Sequence, residues 1–394
     1  MNGGRLASFL IDLQSEQRSF SHQRRCLIGL ISTMARATES EVKTFTEWGG
    51  IMSIIKIIDS ISSPEDIQLH GIRTLLTLMD FNDNYSTTLA SEGAFAAVCG
   101  ALRRNQNSIN LQYVGCYFIS RLTLRAENDR LAIDAGAIHA VCNAMQDFLP
   151  DINIQTACCF AFRNLTTNPS NHHLFADREG IQVLCNAMQM HQSNEGFVSL
   201  CCQVIDGLAT NAENDASIAK SGVIDLLCIA MKQHPCSAKL QLSACCAIHH
   251  LALDEENSKL IVNAGGIGAV HDAMIMHRSN PDVQFVGCAA LNSLVIHGTF
   301  SIPAVAAGCI GVVTQAMKTC SCDDRVQEYG CSVLHFLSHH EVETQQMIVA
   351  HGGIQVALAA MITHSSSDEV WRAACAALML LERNWTLEAS AACA

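Results

Sequence analysis

The sequence predicts an all-α protein, a right-handed α-solenoid of about eight stacked three-helix repeats. The first reason is periodicity. Aligned on the apolar residue after a glycine turn, copies of one pattern begin at Ile51, Phe95, Ile138, Ile181, Ile224, Ile267, Ile310 and Ile354. Their spacings are 44, 43, 43, 43, 43, 43 and 44 residues in a chain of 394. A period this constant marks units that pack only on their neighbours, so the core grows in one direction. The second reason is composition: 49% hydrophobic, 5% aromatic and 6 prolines, which suits helices packed by aliphatic and small residues better than a β-sandwich or barrel. The third is the spacing of apolar residues within each copy, three and four apart on one helical stripe.

Taken in chain order, Leu6–Leu13 reads as a second helix and Gln23–Met34 as a third, together a partial N-terminal repeat or cap over residues 1–36. Eight full repeats follow over 37–382, then a short tail, 383–394, holding Trp385; the whole reads as one superhelical domain, 1–394. Within the copy at Asn257–Leu294, Asn257 opens a short helix, Lys259–Asn263, that stops at Gly265-Gly266. A second helix runs from Ile267 to His277 and ends near Ser279-Asn280-Pro281, and a third from Asp282 to Val295.

Each recurring column has a physical reason. The glycine two residues before the anchor returns as Gly49, Gly93, Gly136, Gly222, Gly265, Gly308 and Gly352, and is replaced by Glu179 in one copy. A sharp turn between helices needs the positive φ that glycine adopts without strain. Asparagine returns as Asn84, Asn128, Asn171, Asn214 and Asn257, where an N-cap accepting a free backbone N–H is expected. That column fails at Phe300 and Glu343; Pro303, a helix-starting residue, stands near the first gap, so irregular geometry is expected there. The second helix carries Ala-Leu or Ala-Met pairs from Ala101-Leu102 to Ala360-Met361, read as core filler, and the third carries stripes such as Cys288, Leu291 and Leu294.

The glycine turn with its anchor, the small-residue pair and the Leu-x-x-Leu end of the third helix resemble armadillo repeats, over about residues 20–382. HEAT repeats are the near alternative, but their Asp/Arg ladder is not traceable. The resemblance implies a concave groove lined by third helices, across which an extended peptide or a partner protein binds. Nuclear-import adaptors of this fold repeat Trp one residue after the core position and Asn four residues further on. Here the Trp column is absent and only Asn164 keeps the other, which disfavours that role. A cluster remains in the N-terminal half: Tyr113, Tyr117, Arg121, Phe160, Arg163, Asn164 and Gln203, with residue types that anchor peptide interfaces. The expected function is a non-catalytic scaffold or adaptor; the alternative is the armadillo region of a larger regulatory protein, as in the leucine-rich-repeat kinases.

Other chemistry finds little support. The net charge of −13, with no long basic block, argues against nucleic-acid and anionic-membrane partners. An uninterrupted apolar run of about 18 residues is missing, as is a signal-peptide pattern at the start. The 20 cysteines fall on helical core positions, among them Cys116, Cys159, Cys202, Cys245, Cys288, Cys331 and Cys375. They read as reduced core thiols of a protein expected in the cytoplasm, with the nucleus as alternative. Equivalent positions on stacked helices lie about 8–10 Å apart, beyond disulfide or single-zinc reach. Asn84, Asn164 and Asn384 stand in Asn-x-Ser/Thr sequences, chance matches unless the chain is secreted.

A second column, His191, His234, His277, Cys320 and His364, sits at the expected ends of second helices, with Cys236 and Cys322 close by. Imidazole suits the negative end of a helix, and a four-ligand metal set is not visible. Phosphate-binding, nucleophile-elbow and kinase motifs are missing, and His249-His250 and His339-His340 have no evident nucleophile. The sequence therefore nominates no catalytic residue, metal or cofactor.

Overall fold

The computed structural model of the protein describes residues 3–15, 19–177, 180–339 and 341–392. These fold into 26 α-helices and three short 3-10 helices, with no strand among the described residues. The chain divides into two compact units, Met1–Met190 and His191–Ala394, so the division falls inside the fourth repeat.

In the first unit the third helices, Phe20–Met34, Glu65–Phe81, Ile109–Leu122 and Ile152–Leu165, pack each on the next. The second helices, Gly3–Gln14, Gly50–Asp59, Ala94–Arg104, Ala137–Asp147 and Gly180–Met190, form a parallel stack. The second unit repeats the plan. Its third helices are Glu195–Ala209, Ala238–Leu251, Pro281–Val295, Asp324–Ser338 and Asp368–Ala392. Its second helices are Val223–Gln233, Gly266–Met276, Cys309–Thr319 and Gly353–Thr363. Within each unit the core lies between the two stacks and is continuous along them, which is an α-solenoid.

The anchors Ile51, Phe95, Ile138, Ile181, Ile224, Ile267 and Ile310 are buried, and Ile354 in the last copy is half-buried. Every glycine of the turn column takes φ between 77° and 91°. The copy with Glu179 lies outside the described residues at that point. Cysteines of the third-helix column are buried up to Cys331, with Cys375 half-buried, and every described cysteine is a free thiol. Met145, Met188, Met231, Met274 and Met317 are buried core filler, as their register implied.

The tight approach of the two stacks has a local cause. Gly71, Gly115, Gly287 and Gly330 each precede the core position of a third helix, and the paired second-helix side chain lies flat on them. A Cβ there would sit 2.6 Å from Ile58, 2.6 Å from Leu102, 2.5 Å from Met274 and 2.6 Å from Met317, respectively.

Two expectations about helix starts need correction. The helix expected over Lys259–Asn263 begins at Glu255 and is capped by Asp254, whose carboxylate accepts from the Asn257 N–H at 2.8 Å. More generally, the asparagine column does not cap forward. Asn128 has helical backbone angles, φ −88° and ψ −9°, and no side-chain cap bond; a capping residue needs an extended backbone. Its Nδ2 instead reaches back and donates to the Leu122 carbonyl at 2.9 Å. Asn171 donates likewise to Leu165 at 3.0 Å, and Asn214 to Leu208 at 2.8 Å. Asparagine here closes the C-terminus of the preceding third helix, whose last carbonyls have no partner within the helix.

The true N-cap column stands before the third helices: Ser108, Asp151, Asn194, Ser237, Asn280 and Asp323, each accepting from a backbone N–H of the first turn. Beside Pro303 the expected irregularity is present. The first helix there is Ser301–Ala306, and Gly298 adds a left-handed turn at φ 74° that the other copies lack among the described residues. The last third helix continues as Asp368–Ala392, through most of the stretch expected as a tail; the Trp385 side chain lies outside the described residues.

Candidate functional site

Six of the seven candidate residues lie in the first unit, on two neighbouring third helices, Ile109–Leu122 and Ile152–Leu165. Tyr113 and Tyr117 are one helical turn apart and stack with ring centroids 6.3 Å apart. Phe160 lies under the Arg163 guanidinium, whose Cζ is 5.1 Å from the ring centre. The three rings remain exposed, at 40% for Tyr113, 37% for Tyr117 and 37% for Phe160. Arg121 donates to Asp80 at 2.8 Å and to the Tyr117 hydroxyl at 3.5 Å. Burial opposes its charge, but these two bonds prevail and raise its pKa further.

Asn164 differs from its neighbours. It is only 8% exposed. Its Nδ2 donates to the Ser120 carbonyl at 2.9 Å and its Oδ1 accepts from Arg163 at 3.2 Å. The amide thus ties adjacent repeats and orients Arg163, so a role as a free clamp on peptide backbone does not fit its geometry. Gln203 belongs to the second unit, where its Nε2 donates to the Ser199 carbonyl at 3.3 Å.

The second unit holds a polar and aromatic row on its own third helices. Asp206 meets His250 Nδ1 at 2.8 Å, and His249 Nδ1 lies 2.7 Å from Ser293 Oγ. Burial, then neighbouring His250, lowers the pKa of His249 and favours its neutral ring. Tyr329 packs edge-on to His249 and against Phe285, and Arg325 covers Phe285 at 4.6 Å. Ser293 is buried, so the Ser–His contact is structural rather than a nucleophile–base pair. His340 lies outside the described residues; His339 meets His335 at 3.2 Å.

The histidine column proves to be an inter-repeat tie. His234 Nε2 lies 2.8 Å from the Gln192 carbonyl, His277 Nε2 2.8 Å from that of Pro235, and His364 Nε2 2.8 Å from that of Ser321. Each acceptor is a carbonyl, so Nε2 carries the proton and cannot bind a metal in this arrangement. Among the described residues no single helix is long and apolar enough to cross a membrane.

A set of residues that sequence reading missed is the glutamine column. Gln112, Gln155, Gln241, Gln284 and Gln327 are buried, and each forks its Nε2 onto two carbonyls at the end of the second helix. Their recurrence at the 43-residue period was the available signal. These contacts hold third helices in register and so fix which side chains face the exposed surface.

Comparison with known proteins agrees with this architecture. Residues 131–271 match the family model described as the LRRK2 ARM repeat. The crystal structure of an engineered protein superposes with a TM-score of 0.70 at 18% identity, covering 96% of this chain and 99% of that one. No curated protein sequence matches the chain. Residues 131–271 thus match an armadillo-repeat family model, and the chain as a whole has a helical repeat fold.

Proposed function

We propose that this protein is a non-catalytic interaction scaffold that binds an extended segment of a partner protein across third helices of its first unit. The observation that carries the reading is the exposed row of Tyr113, Tyr117 and Phe160. In a chain with 5% aromatic residues, these three rings on neighbouring helices stay more than a third exposed, whereas Phe118 and Phe162 of the same helices are fully buried. Rigid aromatic surfaces flanked by arginine are the groups that dominate peptide interfaces. Arg121 and Arg163 are held in place by Asp80, Tyr117 and Asn164 and need little ordering on binding. The place of action in this reading is the cytoplasm or nucleus, where the free thiols stay reduced.

The test is capture of partners from cells of the source organism by wild-type protein and by a Tyr113→Ala/Tyr117→Ala/Phe160→Ala variant. Hot-spot truncations of about 2 kcal/mol or more imply at least about a 30-fold loss of affinity for each captured partner. Tm should change little, because the rings are not core residues. Unchanged capture sinks the assignment. Asn164 is left intact, since its loss would disturb the contact between repeats.

The match of residues 131–271 favours one other reading, that these repeats belong to a larger regulatory protein related to the leucine-rich-repeat kinases. The mass of the native polypeptide, measured from cells, decides it.

A further inference from the structure

We propose that Asp12, His22 and Cys26 form a zinc-binding site that clamps the first two helices together. The site is separate from the aromatic row and independent of the scaffold reading. Asp12 stands on the helix Gly3–Gln14; His22 and Cys26 stand one turn apart on the helix Phe20–Met34, on the same face. The three side chains converge on one another. Asp12 Oδ1 lies 3.3 Å from His22 Nε2, Asp12 Oδ2 lies 3.9 Å from Cys26 Sγ, and one ligand atom from each residue falls within 4.8 Å of the other two. Among the described residues this is the one such group of three.

The spacing suits one ion. Zinc bonds are about 2.0–2.3 Å long, so tetrahedral ligand atoms stand about 3.3–3.8 Å apart, and closing the triad takes shifts of about 1 Å or less. A thiolate, an imidazole and a carboxylate together favour zinc over magnesium or calcium, which take all-oxygen shells. His22 Nε2 is buried and makes no hydrogen bond of good geometry, although Asp12 Oδ1 lies 3.3 Å away. On binding, the Cys26 thiol loses its proton to solvent and the sulfur joins the metal; no redox change is involved. Three protein ligands leave a fourth position for water.

The placement gives the ion a purpose. The helix Gly3–Gln14 holds the repeats through one apolar edge, Leu6, Leu10 and Leu13. A bond from its flank to two residues of the next helix would fix its position in the direction that apolar contact leaves free. The rest of the repeat register depends on carbonyl ties made further along the chain, so this hairpin is where a metal adds the most.

The experiment uses the full chain, freed of metal by chelation, with cobalt(II) as spectroscopic probe and zinc as competitor. Wild type should show a thiolate-to-cobalt charge-transfer band that one equivalent of zinc removes. Cys26→Ser should abolish the band, and His22→Gln or Asp12→Asn should weaken affinity at least about 10-fold, the minimum seen even for outer-shell changes. Cys236→Ser/Cys322→Ser, which removes exposed thiols, should leave it unchanged. Zinc should also slow amide exchange in Gly3–Gln14 in wild type and not in Cys26→Ser. The proposal fails if the band is missing, survives Cys26→Ser, or disappears with the exposed thiols. If Cys26→Ser misfolds, the part-exposed His22→Gln carries the decision through the same two readouts.

Discussion

At the scale of single residues, the most frequent misleading signal is cysteine. Burial drives the thiols at Cys99, Cys202, Cys309 and Cys331 from an ordinary value of 9.0 up to about 12. Such thiols are inert fillers, since the thiolate is the reactive form. Their raised folded-state values fix the sign of a pH effect. The stabilisation is fully present below the unfolded thiol's pKa and is lost as pH climbs from about 9 towards about 12, because the unfolded chain releases protons that the folded one keeps. Between those limits each thiol contributes a slope of up to about 1.4 kcal/mol per pH unit. Denaturant melts at pH 8 and pH 10 should therefore show a steep alkaline loss of stability, and Cys331→Ala should flatten it. An unchanged slope would mean that Cys331 ionises alike in both states.

The same scale explains which residues could be read beforehand. The positions of Cys116, Met274 or Ile267 were legible because apolar burial follows periodicity alone. Gln284 was not, since glutamine at a helical position usually faces water. Its burial is understandable only when the two carbonyls it satisfies, those of Met274 and His277, are seen together. Asn128 was misread for a related reason: its type suits a cap, but its helical backbone and backward donation to Leu122 were invisible in sequence.

At the scale of elements, the second and third helices of a repeat meet through a glycine. Gly287→Ala would place a methyl 2.5 Å from Met274 Cγ, an atom near the backbone with little room to retreat. Overpacking of this kind costs about 1–3 kcal/mol. Thermal melts should show that loss, and Met274→Ala in the same chain should remove much of the added penalty. A double variant no better than the sum of its parts would show that the two do not touch. Helix boundaries were mostly legible from glycine, asparagine and proline punctuation. The second helix expected over Ile267–His277 is Gly266–Met276, and the third is Pro281–Val295. The first helices were less so, because they are short and their caps differ between copies.

At the scale of the whole molecule, a repeat protein distributes stability among neighbours instead of in one centre. Two compact units, Met1–Met190 and His191–Ala394, lead us to expect unfolding that is not all-or-none. Leu291→Ala, in a buried stripe of the second unit, should cost about 2–5 kcal/mol there. Hydrogen exchange should then quicken within His191–Ala394 and stay at wild-type rates in Met1–Met190. Equal loosening of both would make the chain one cooperative body.

By itself the sequence determined the all-helical repeat, its period, the glycine turns and most of the core. Those features depend on contacts that every copy makes in the same way, so repetition writes them into the chain many times. Tertiary structure decided the rest. Only stacking brings His277 to the Pro235 carbonyl and Asn164 to that of Ser120, leaves Tyr117 and Phe160 facing outward, and gathers Asp12, His22 and Cys26. Each of these is a meeting of residues from different helices, settled by how the helices pack; even the recurring histidine column finds its carbonyl partners only once the repeats are stacked.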